Sequence, residues 1–254
     1  MTRHSLNETA KRIDVFDERW YQITLEDKTT VDLPSVTTYL EAYPKGYGYE
    51  YWLMNTKDPY KVRDEAGQLG TNVHKMIERT LRGETVSYVE GQLQEWERFL
   101  SWCVWWKKYT AENKVEFETN GVECVVWSTD IQTAGTVDLL AKVNDLYRVH
   151  DWKTGNSVED TAFIQVSVYD FLVRSSIEAE TKPPIIVQIN PKLNKKGVRT
   201  YEVDAEDLDG YVDDFQHTKS NWLRTNKNPK PKYRSYPSEI SLDFIRDNEI
   251  IKGV

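Results

Sequence analysis

The stretch GTVDLLAKVNDLYRVHDWKTG, residues 135–155, decides how this chain folds. Two runs rich in β-branched and aromatic residues flank Asn144-Asp145, a pair that is typical of a two-residue hairpin turn. If these two residues form the turn, Asp138 and Asp151 face each other across the strands, with Cβ atoms about 5 Å apart. Lys153 lies on the same face as Asp151, because side chains alternate along a strand.

This pair of facing carboxylates predicts a cation between them. Two carboxylates opposite each other repel, so a fold that keeps them needs a neutralising charge nearby. A divalent metal ion with a lysine alongside supplies it. The alternative is a solvated hairpin face that carries ordinary surface charges.

A second candidate residue is His74, in a segment with helical periodicity over residues 59–82. His74 borders the apolar stripe of this segment, one turn from Thr71 and Glu78. Taken alone, a histidine beside an apolar stripe is more often a packed core residue than a ligand. Gly70 and Thr71 are small and would allow this helix to approach another backbone closely.

Gln165 and Tyr169 lie four residues apart in the segment that follows the Asp-x-Lys strand. Residues 160–174 are predicted to form a helix, so these two side chains share one of its faces. Alone, the pair indicates little.

In this order, the motifs resemble those of the RecB-like exonuclease branch of the PD-(D/E)xK nuclease superfamily. An early LPSVTTYL segment is similar to the opening of phage-type members and of the mitochondrial genome maintenance exonuclease. The matching motifs are LPSVTTYL (33–40), GTxxH (70–74), GxxD (135–138), DWKTG (151–155) and QxxxY (165–169).

The resemblance implies a role for each matching residue. His74, Asp138 and Asp151 would ligate the metal ions, together with the main-chain carbonyl of Trp152. Lys153 would position or deprotonate the attacking water, while Gln165 and Tyr169 would support the site and contact DNA. Some relatives use a further acid, for which this chain offers Glu78, Glu116 and Glu118.

The chemistry of phosphodiester hydrolysis favours one or two Mg²⁺ or Mn²⁺ ions as the cofactor. Carboxylate oxygens suit both ions, and an imidazole ligand shifts the preference toward Mn²⁺. Cys103 and Cys124 match no zinc-ligand spacing and are expected to be reduced thiols. Some related exonucleases carry four cysteines around an iron–sulfur cluster, so we expect no such cluster here.

The charge distribution bears on DNA binding. The net charge of −8 argues mildly against a nucleic-acid-binding protein, because phosphate contacts depend on Lys and Arg. However, residues 217–234 contain six basic residues and no acid, and local potential matters more than net charge. We therefore expect Lys227, Lys230, Lys232 and Arg234 to contact DNA; the alternative is a solvated surface.

Together these patterns predict an α/β fold with a mixed central sheet flanked by helices, that is, a restriction-endonuclease-like core with a helical N-terminal lobe. The lobe would span residues 1–110 and carry the histidine motif. The nuclease core would span 111–203, and a C-terminal helix with a basic irregular tail would span 204–254.

The expected function is metal-dependent exonuclease cleavage of DNA, preferably single-stranded, in phage-type replication, recombination or repair. We expect a cytoplasmic protein (host cytoplasm if phage-encoded) with no membrane segment. A replication or recombination protein is an expected partner. The alternatives are a catalytically silent DNA-end or partner-binding module on the same fold, and a metal hydrolase for other substrates.

Overall fold

The computed structural model describes residues 10–15, 18–177, 180–192, 197–231 and 241–242. The described part of the chain opens with an antiparallel sheet of three strands in the order β1-β2-β3. These strands are β1 (Ala10–Val15), β2 (Glu18–Thr24) and β3 (Thr30–Pro34). The described part of the segment predicted as a helical lobe therefore contains a sheet.

Four helices follow the first sheet: α1 (Val36–Leu40), α2 (Tyr47–Asn55), α3 (Pro59–Leu81) and α4 (Leu93–Glu112). Helix α1 begins at Ser35, whose hydroxyl accepts a hydrogen bond from the Thr38 N–H at 2.9 Å. Helix α3 begins at a proline, which is well tolerated there because the first N–H groups of a helix have no partner within it. Its bounds agree closely with the periodic segment over 59–82.

The second sheet has six strands and is mixed. Strands β4 and β5 both pair with β6, which continues through β7 to β8 and β9. Only the β7–β8 pair is parallel. The strands are β4 (Val115–Glu116), β5 (Val122–Ser128), β6 (Thr133–Val143), β7 (Leu146–Lys153), β8 (Ile185–Ile189) and β9 (Val198–Glu202).

The hairpin between β6 and β7 turns at Asn144 and Asp145, as the sequence predicts. Both residues have positive φ, 51° and 73°, which is the conformation of a type I′ turn. The register is also as predicted from Val143 opposite Leu146 to Leu139 opposite His150. Asp138 and Asp151 come next along the two strands.

Helices cover both faces of the six-stranded sheet. Helices α1, α5 (Asp160–Ile177) and α6 (Leu208–Thr225) share one apolar cluster with the sheet, while α3 and α4 share another. The predicted mixed sheet flanked by helices is therefore confirmed. Helices α3 and α4, expected in an N-terminal lobe, pack directly on the sheet through Val73, Ile77, Phe99 and Trp102.

Besides strand β1, helix α2 and strand β9 were not predicted from the sequence. The glycine- and tyrosine-rich segment over 46–51 contains the start of helix α2. Strand β9 was also missed, because it is a short edge strand whose exposed side chains give it no clear alternation. In the described part of the chain, no helix combines the length and apolarity needed to cross a bilayer.

Candidate active site

Asp138 lies where β6 and β7 separate. Strand pairing ends at Leu139 and His150, one residue before Asp138 and Asp151. Beyond this point the main-chain N–H of Trp152 donates to Oδ2 of Asp138 at 2.7 Å. The two strands thus stay connected through a side chain, and the Asp138 carboxylate is held at the fork.

Helix α3 brings His74 to this carboxylate, with Nδ1 of His74 3.3 Å from Oδ1 of Asp138. Val73 and Ile77, which are fully buried, anchor this part of α3 in the core. Gly70 lies one turn earlier, and a Cβ there would come within 3.0 Å of Oγ1 of Thr154. The small residue in the GTxxH motif therefore allows α3 to lie close to the end of β7.

Glu123 completes a group of three ligand-type side chains. Strand β5 pairs Val122 with Leu139 and Cys124 with Val137, which places Glu123 opposite Asp138. Ligand atoms of His74, Glu123 and Asp138 all lie within 4.8 Å of one another, and no other such group occurs among the described residues. Glu123 has a positive φ of 53°, unusual for a residue in a strand.

Glu78, Glu116 and Glu118, the glutamates that the sequence offers as a further acidic ligand, lie outside this group of three. Glu116 is exposed, lies opposite Lys142 and forms an ion pair with Lys114 at 3.3 Å. Glu118 is exposed just before a 3-10 turn at Thr119–Gly121. Glu78 pairs with Arg82 at 3.0 Å. Only the pairing of β5 with β6 sets Glu123 beside Asp138, and no local sequence pattern marks it.

Asp151 belongs to a second cluster, on the other side of Asp138 from Glu123. Nζ of Lys153 is 2.8 Å from Oδ2 of Asp151 and donates to Oε1 of Gln165 at 3.1 Å. Nε2 of Gln165 in turn donates to the hydroxyl of Tyr169, also at 3.1 Å. The four residues that sequence analysis grouped by motif order thus form one hydrogen-bonded chain.

Gly135 explains how Tyr169 enters this chain. A Cβ at Gly135 would come within 2.2 Å of Cε1 of Tyr169, so the ring lies directly against the glycine backbone. The GxxD motif therefore does two things: its glycine makes room for Tyr169, and its aspartate reaches His74. Tyr169 is almost fully buried, which raises the pKa of its hydroxyl and keeps it protonated.

Burial and neighbouring charges shift the pKa of four ionisable side chains in the site. Burial, together with the charge of Asp138, raises the pKa of Glu123 to about 7. Burial also raises the pKa of Asp151 to about 6, although Lys153 opposes this. For His74, burial alone would lower the pKa, but the adjacent Asp138 raises it to about 9. For Asp138, burial is outweighed by His74 and Lys153, which lower its pKa.

The basic stretch over 217–234 begins in helix α6 and continues past its end. Lys227 and Lys230 are exposed after α6, whereas Lys232 and Arg234 lie outside the described residues. Lys219, another member of the stretch, does not face solvent. Its Nζ donates to the carbonyl of Ile131 at 2.6 Å, so it is a structural cation.

These features agree with a match to known proteins over most of the chain. A family model described as the PD-(D/E)XK nuclease superfamily matches residues 35–235. The chain belongs to the PD-(D/E)XK nuclease superfamily. A search among curated proteins gave no match.

Membership of this nuclease superfamily implies hydrolytic cleavage of DNA with the help of divalent metal ions. The residues present fit such an ion. One imidazole and two carboxylates converge within 4.8 Å, and a hydrogen bond from the Trp152 N–H together with the strand pairing fixes two of them, Asp138 and Glu123, side by side. Nitrogen and carboxylate-oxygen donors of this kind suit Mn²⁺ and Mg²⁺.

Proposed function

We propose that this nuclease is a Mg²⁺- or Mn²⁺-dependent DNA exonuclease of the RecB-like branch, acting on ends of single-stranded DNA. The observation that carries the proposal is the position of Lys153 between Asp151 and Gln165, beside the group of His74, Glu123 and Asp138. A lysine next to a cluster of metal-ligand side chains combines two means of catalysing phosphodiester hydrolysis, a positioned proton-transfer group and a metal ion that stabilises charge.

In this proposal, His74, Glu123 and Asp138 would hold one metal ion, and Asp151 with the Trp152 carbonyl would contribute to the metal site from β7. Such an ion would supply positive charge to the phosphate and would lower the pKa of a bound water. Residues of the chain do the rest. Lys153 would position the attacking water or, as the neutral amine, take the proton that this water loses, and Asp151 and Gln165 keep its Nζ in place.

Gln165 and Tyr169 have a positioning role. Because the Tyr169 ring is fixed against Gly135, its hydroxyl holds the Gln165 amide in the orientation that accepts from Lys153. Both residues are also proposed to contact DNA. Lys227, Lys230, Lys232 and Arg234 would bind phosphates, since phosphate contacts position a strand without reading its bases.

We further propose a role in replication, recombination or repair of the phage type. The reaction would take place in the cytoplasm, which would be the host cytoplasm for a phage-encoded protein. A replication or recombination protein would act as its partner.

The test is a nuclease assay on single-stranded, duplex and circular DNA, with a label at either end and with Mg²⁺, Mn²⁺ or EDTA. We expect metal-dependent release of short products from linear single strands and none from circles. Asp138→Asn and Asp151→Asn should abolish release. Cleavage of circles would replace the exonuclease by an endonuclease, and DNA binding without any cleavage would indicate a silent end-binding module.

A further inference from the structure

The first sheet turns one face toward the active site. Cross-strand partners and alternate residues of a strand share a face, and on β1 and β2 such a set comprises Arg12, Asp14, Arg19 and Tyr21. Tyr21 is fully buried in one apolar cluster with Ala134 of β6, and its hydroxyl lies 2.7 Å from Oγ1 of Thr136. Thr136 lies two residues before Asp138, on the same side of β6. The face that carries the two arginines is thus joined to the strand that carries Asp138.

Arg12 and Arg19 share a single carboxylate among the described residues. Nε of Arg12 lies 3.0 Å from Oδ2 of Asp14, and Nε of Arg19 lies 3.3 Å from Oδ1 of the same residue. The three side chains therefore carry one net positive charge. All three are open to solvent, since 40% of the Arg12 side chain, 36% of Arg19 and 57% of Asp14 are exposed. We call Arg12 and Arg19 the arginine pair.

The charges of the arginine pair act on groups of the active site. Burial raises the pKa of Glu123 to about 7, with a contribution from Asp138, and the charge of Arg12 opposes this rise. Burial also raises the pKa of the Tyr169 hydroxyl, and the charge of Arg19 opposes that rise. The field of an exposed charge fades over about 10 Å in salt solution. The arginine pair therefore lies within reach of a DNA strand that is bound at Glu123 and Asp138.

Resting on the nuclease function proposed above, we propose that the arginine pair binds a phosphodiester of the substrate strand, next to the one that is cleaved. This phosphate displaces the carboxylate of Asp14, which occupies the position between the two guanidinium groups in the absence of DNA. A guanidinium presents a planar set of N–H donors that matches the oxygens of a phosphate. The first sheet thereby forms part of the DNA-binding surface.

The charge balance of the arginine pair favours a phosphate as its ligand. The chain has a net charge of −8, and a strand that approaches the site meets the acids Glu123, Asp138 and Asp151. A local cation beside these acids offsets the repulsion. The exposed ion pairs with Asp14 contribute little to stability, so Asp14 is easily displaced. The one net positive charge of the arginine pair and Asp14 equals the charge that one phosphodiester neutralises.

The experiment measures binding of a fluorescent oligothymidylate over a series of salt concentrations, in Ca²⁺, which supports binding without turnover. The oligothymidylate has no terminal phosphate, so every phosphate contact is to a phosphodiester. The wild type is compared with Arg12→Gln/Arg19→Gln, with Arg12→Lys/Arg19→Lys and with Asp14→Asn. Arg63→Gln is the matched control, because Arg63 is an exposed arginine that also pairs with an aspartate, Asp64, at 3.3 Å. The melting temperature and the Mn²⁺ affinity of each variant are measured in parallel.

We expect the glutamine variant to bind at least about tenfold more weakly, the usual loss when a hydrogen-bonded charged partner is removed. Its log–log salt slope should fall by about 0.7, the value for one phosphate contact on a single strand. The lysine variant should keep the slope and bind more weakly than the wild type, since it retains the charge and lacks the planar donors. Asp14→Asn should bind up to about fivefold more tightly, the equivalent of one exposed ion pair. Arg63→Gln should match the wild type.

An unchanged salt slope in the glutamine variant would overturn the phosphate site. If that variant also bound Mn²⁺ more tightly, the arginine pair would only balance the acids of the active site. An Asp14→Asn variant that bound DNA no more tightly than the wild type would overturn the displacement of Asp14. These measurements involve no cleavage and are separate from the proposed function, which fails only if no metal-dependent cleavage of DNA occurs.

Discussion

Lys153 is held between two partners that come from different elements of the active site. Asp151 fixes its Nζ from the same strand, and Gln165 fixes it from helix α5. A lysine held by two partners beside a cluster of metal-ligand side chains has few conformations left. Its amine can therefore meet a water at a defined position, which is the requirement for proton transfer in a transition state.

Lys153→Ala should slow DNA hydrolysis by about 10²–10⁴-fold, the usual loss when a positioned acid–base group is removed. Metal binding and the melting temperature should change little. Single-turnover rates at saturating Mn²⁺ would measure the effect. Lys142→Ala, an exposed lysine on β6, is the control and should cleave at the wild-type rate. A rate for Lys153→Ala within tenfold of wild type would remove this residue from the mechanism.

His74→Ala should weaken Mn²⁺ binding more than Mg²⁺ binding, because the loss of the imidazole leaves only oxygen donors. The loss for Mn²⁺ should reach at least the roughly 10–100-fold seen when a supporting residue of a metal site is removed. Calorimetric titration of both metals would measure it. His217→Ala, on the exposed side of α6, serves as the control.

The same titration has a pH dependence. Since Asp138 outweighs burial and raises the pKa of His74 to about 9, a metal ion must displace a proton from His74 at pH 8. Mn²⁺ affinity of the wild type should thus rise with pH up to about 9. His74→Ala should lack this part of the dependence. If His74→Ala weakened Mn²⁺ and Mg²⁺ binding equally, His74 would be a packing residue and not a metal ligand.

At the scale of elements, the active site depends on the fork between β6 and β7. Between the turn and the fork, from Val143 opposite Leu146 to Leu139 opposite His150, the two strands pair regularly. On the other side of the fork, β6 pairs with β5 and β7 pairs with β8. The space that opens is filled by Tyr169 of α5, which lies against Gly135. A glycine at this point is therefore a packing requirement of the site.

Gly135→Ala should destabilise the fold by about 1–3 kcal/mol, the usual cost of overpacking a core, because its Cβ would overlap the Tyr169 ring. Activity should fall with it, since displacement of Tyr169 releases Gln165. Urea unfolding would measure the stability. Gly210→Ala in α6 meets no atom within 4 Å and should stabilise by up to about 1 kcal/mol. Wild-type stability and activity in Gly135→Ala would contradict the packing of Tyr169 on this glycine.

At the scale of the whole molecule, buried charge in the site reduces stability in the absence of metal. Burial and Asp138 raise the pKa of Glu123 from 4.5 to about 7. An acid whose pKa is higher in the folded state destabilises the fold as the pH rises through this interval. The full destabilisation by the Glu123 charge is therefore present above pH 7, and it is absent well below pH 4.5.

Glu123→Gln should raise the melting temperature in EDTA at pH 8 by about 2–4 °C for each 1 kcal/mol of relieved repulsion. At pH 4 the variant and the wild type should melt together, because the wild-type carboxyl is then protonated. Thermal unfolding at the two pH values would measure this, and Mn²⁺ should stabilise the wild type more than the variant. A lower melting temperature for the variant at pH 8 would place Glu123 in a favourable interaction instead.

The basic C-terminal stretch gives a second prediction at this scale. Replacement of Lys227, Lys230 and Lys232 by Gln should weaken DNA binding and lower the log–log salt slope by roughly 2, about 0.7 for each phosphate contact. The control is the replacement by Gln of three exposed lysines elsewhere in the chain, which should leave the slope unchanged. These lysines are Lys107, Lys108 and Lys142. An unchanged slope in the first variant would mean that these lysines form only a solvated surface.

The sequence by itself determined the local parts of this protein. The Asn144-Asp145 turn set the β6–β7 register, and periodicity set helix α3, because turn chemistry and side-chain alternation act over a few residues. Motif order also grouped Lys153, Asp151, Gln165 and Tyr169, which the structure joins by hydrogen bonds.

Only the tertiary structure decided the rest. Glu123 lies beside Asp138 because β5 pairs with β6, and no local pattern distinguishes it from Glu116 or Glu118. Likewise, the sequence showed neither that α3 and α4 would cover the sheet nor that the aromatic residues of α2 would stay exposed. Whether an apolar side chain is buried depends on what packs against it. That partner comes from a distant part of the chain, so periodicity alone cannot specify it.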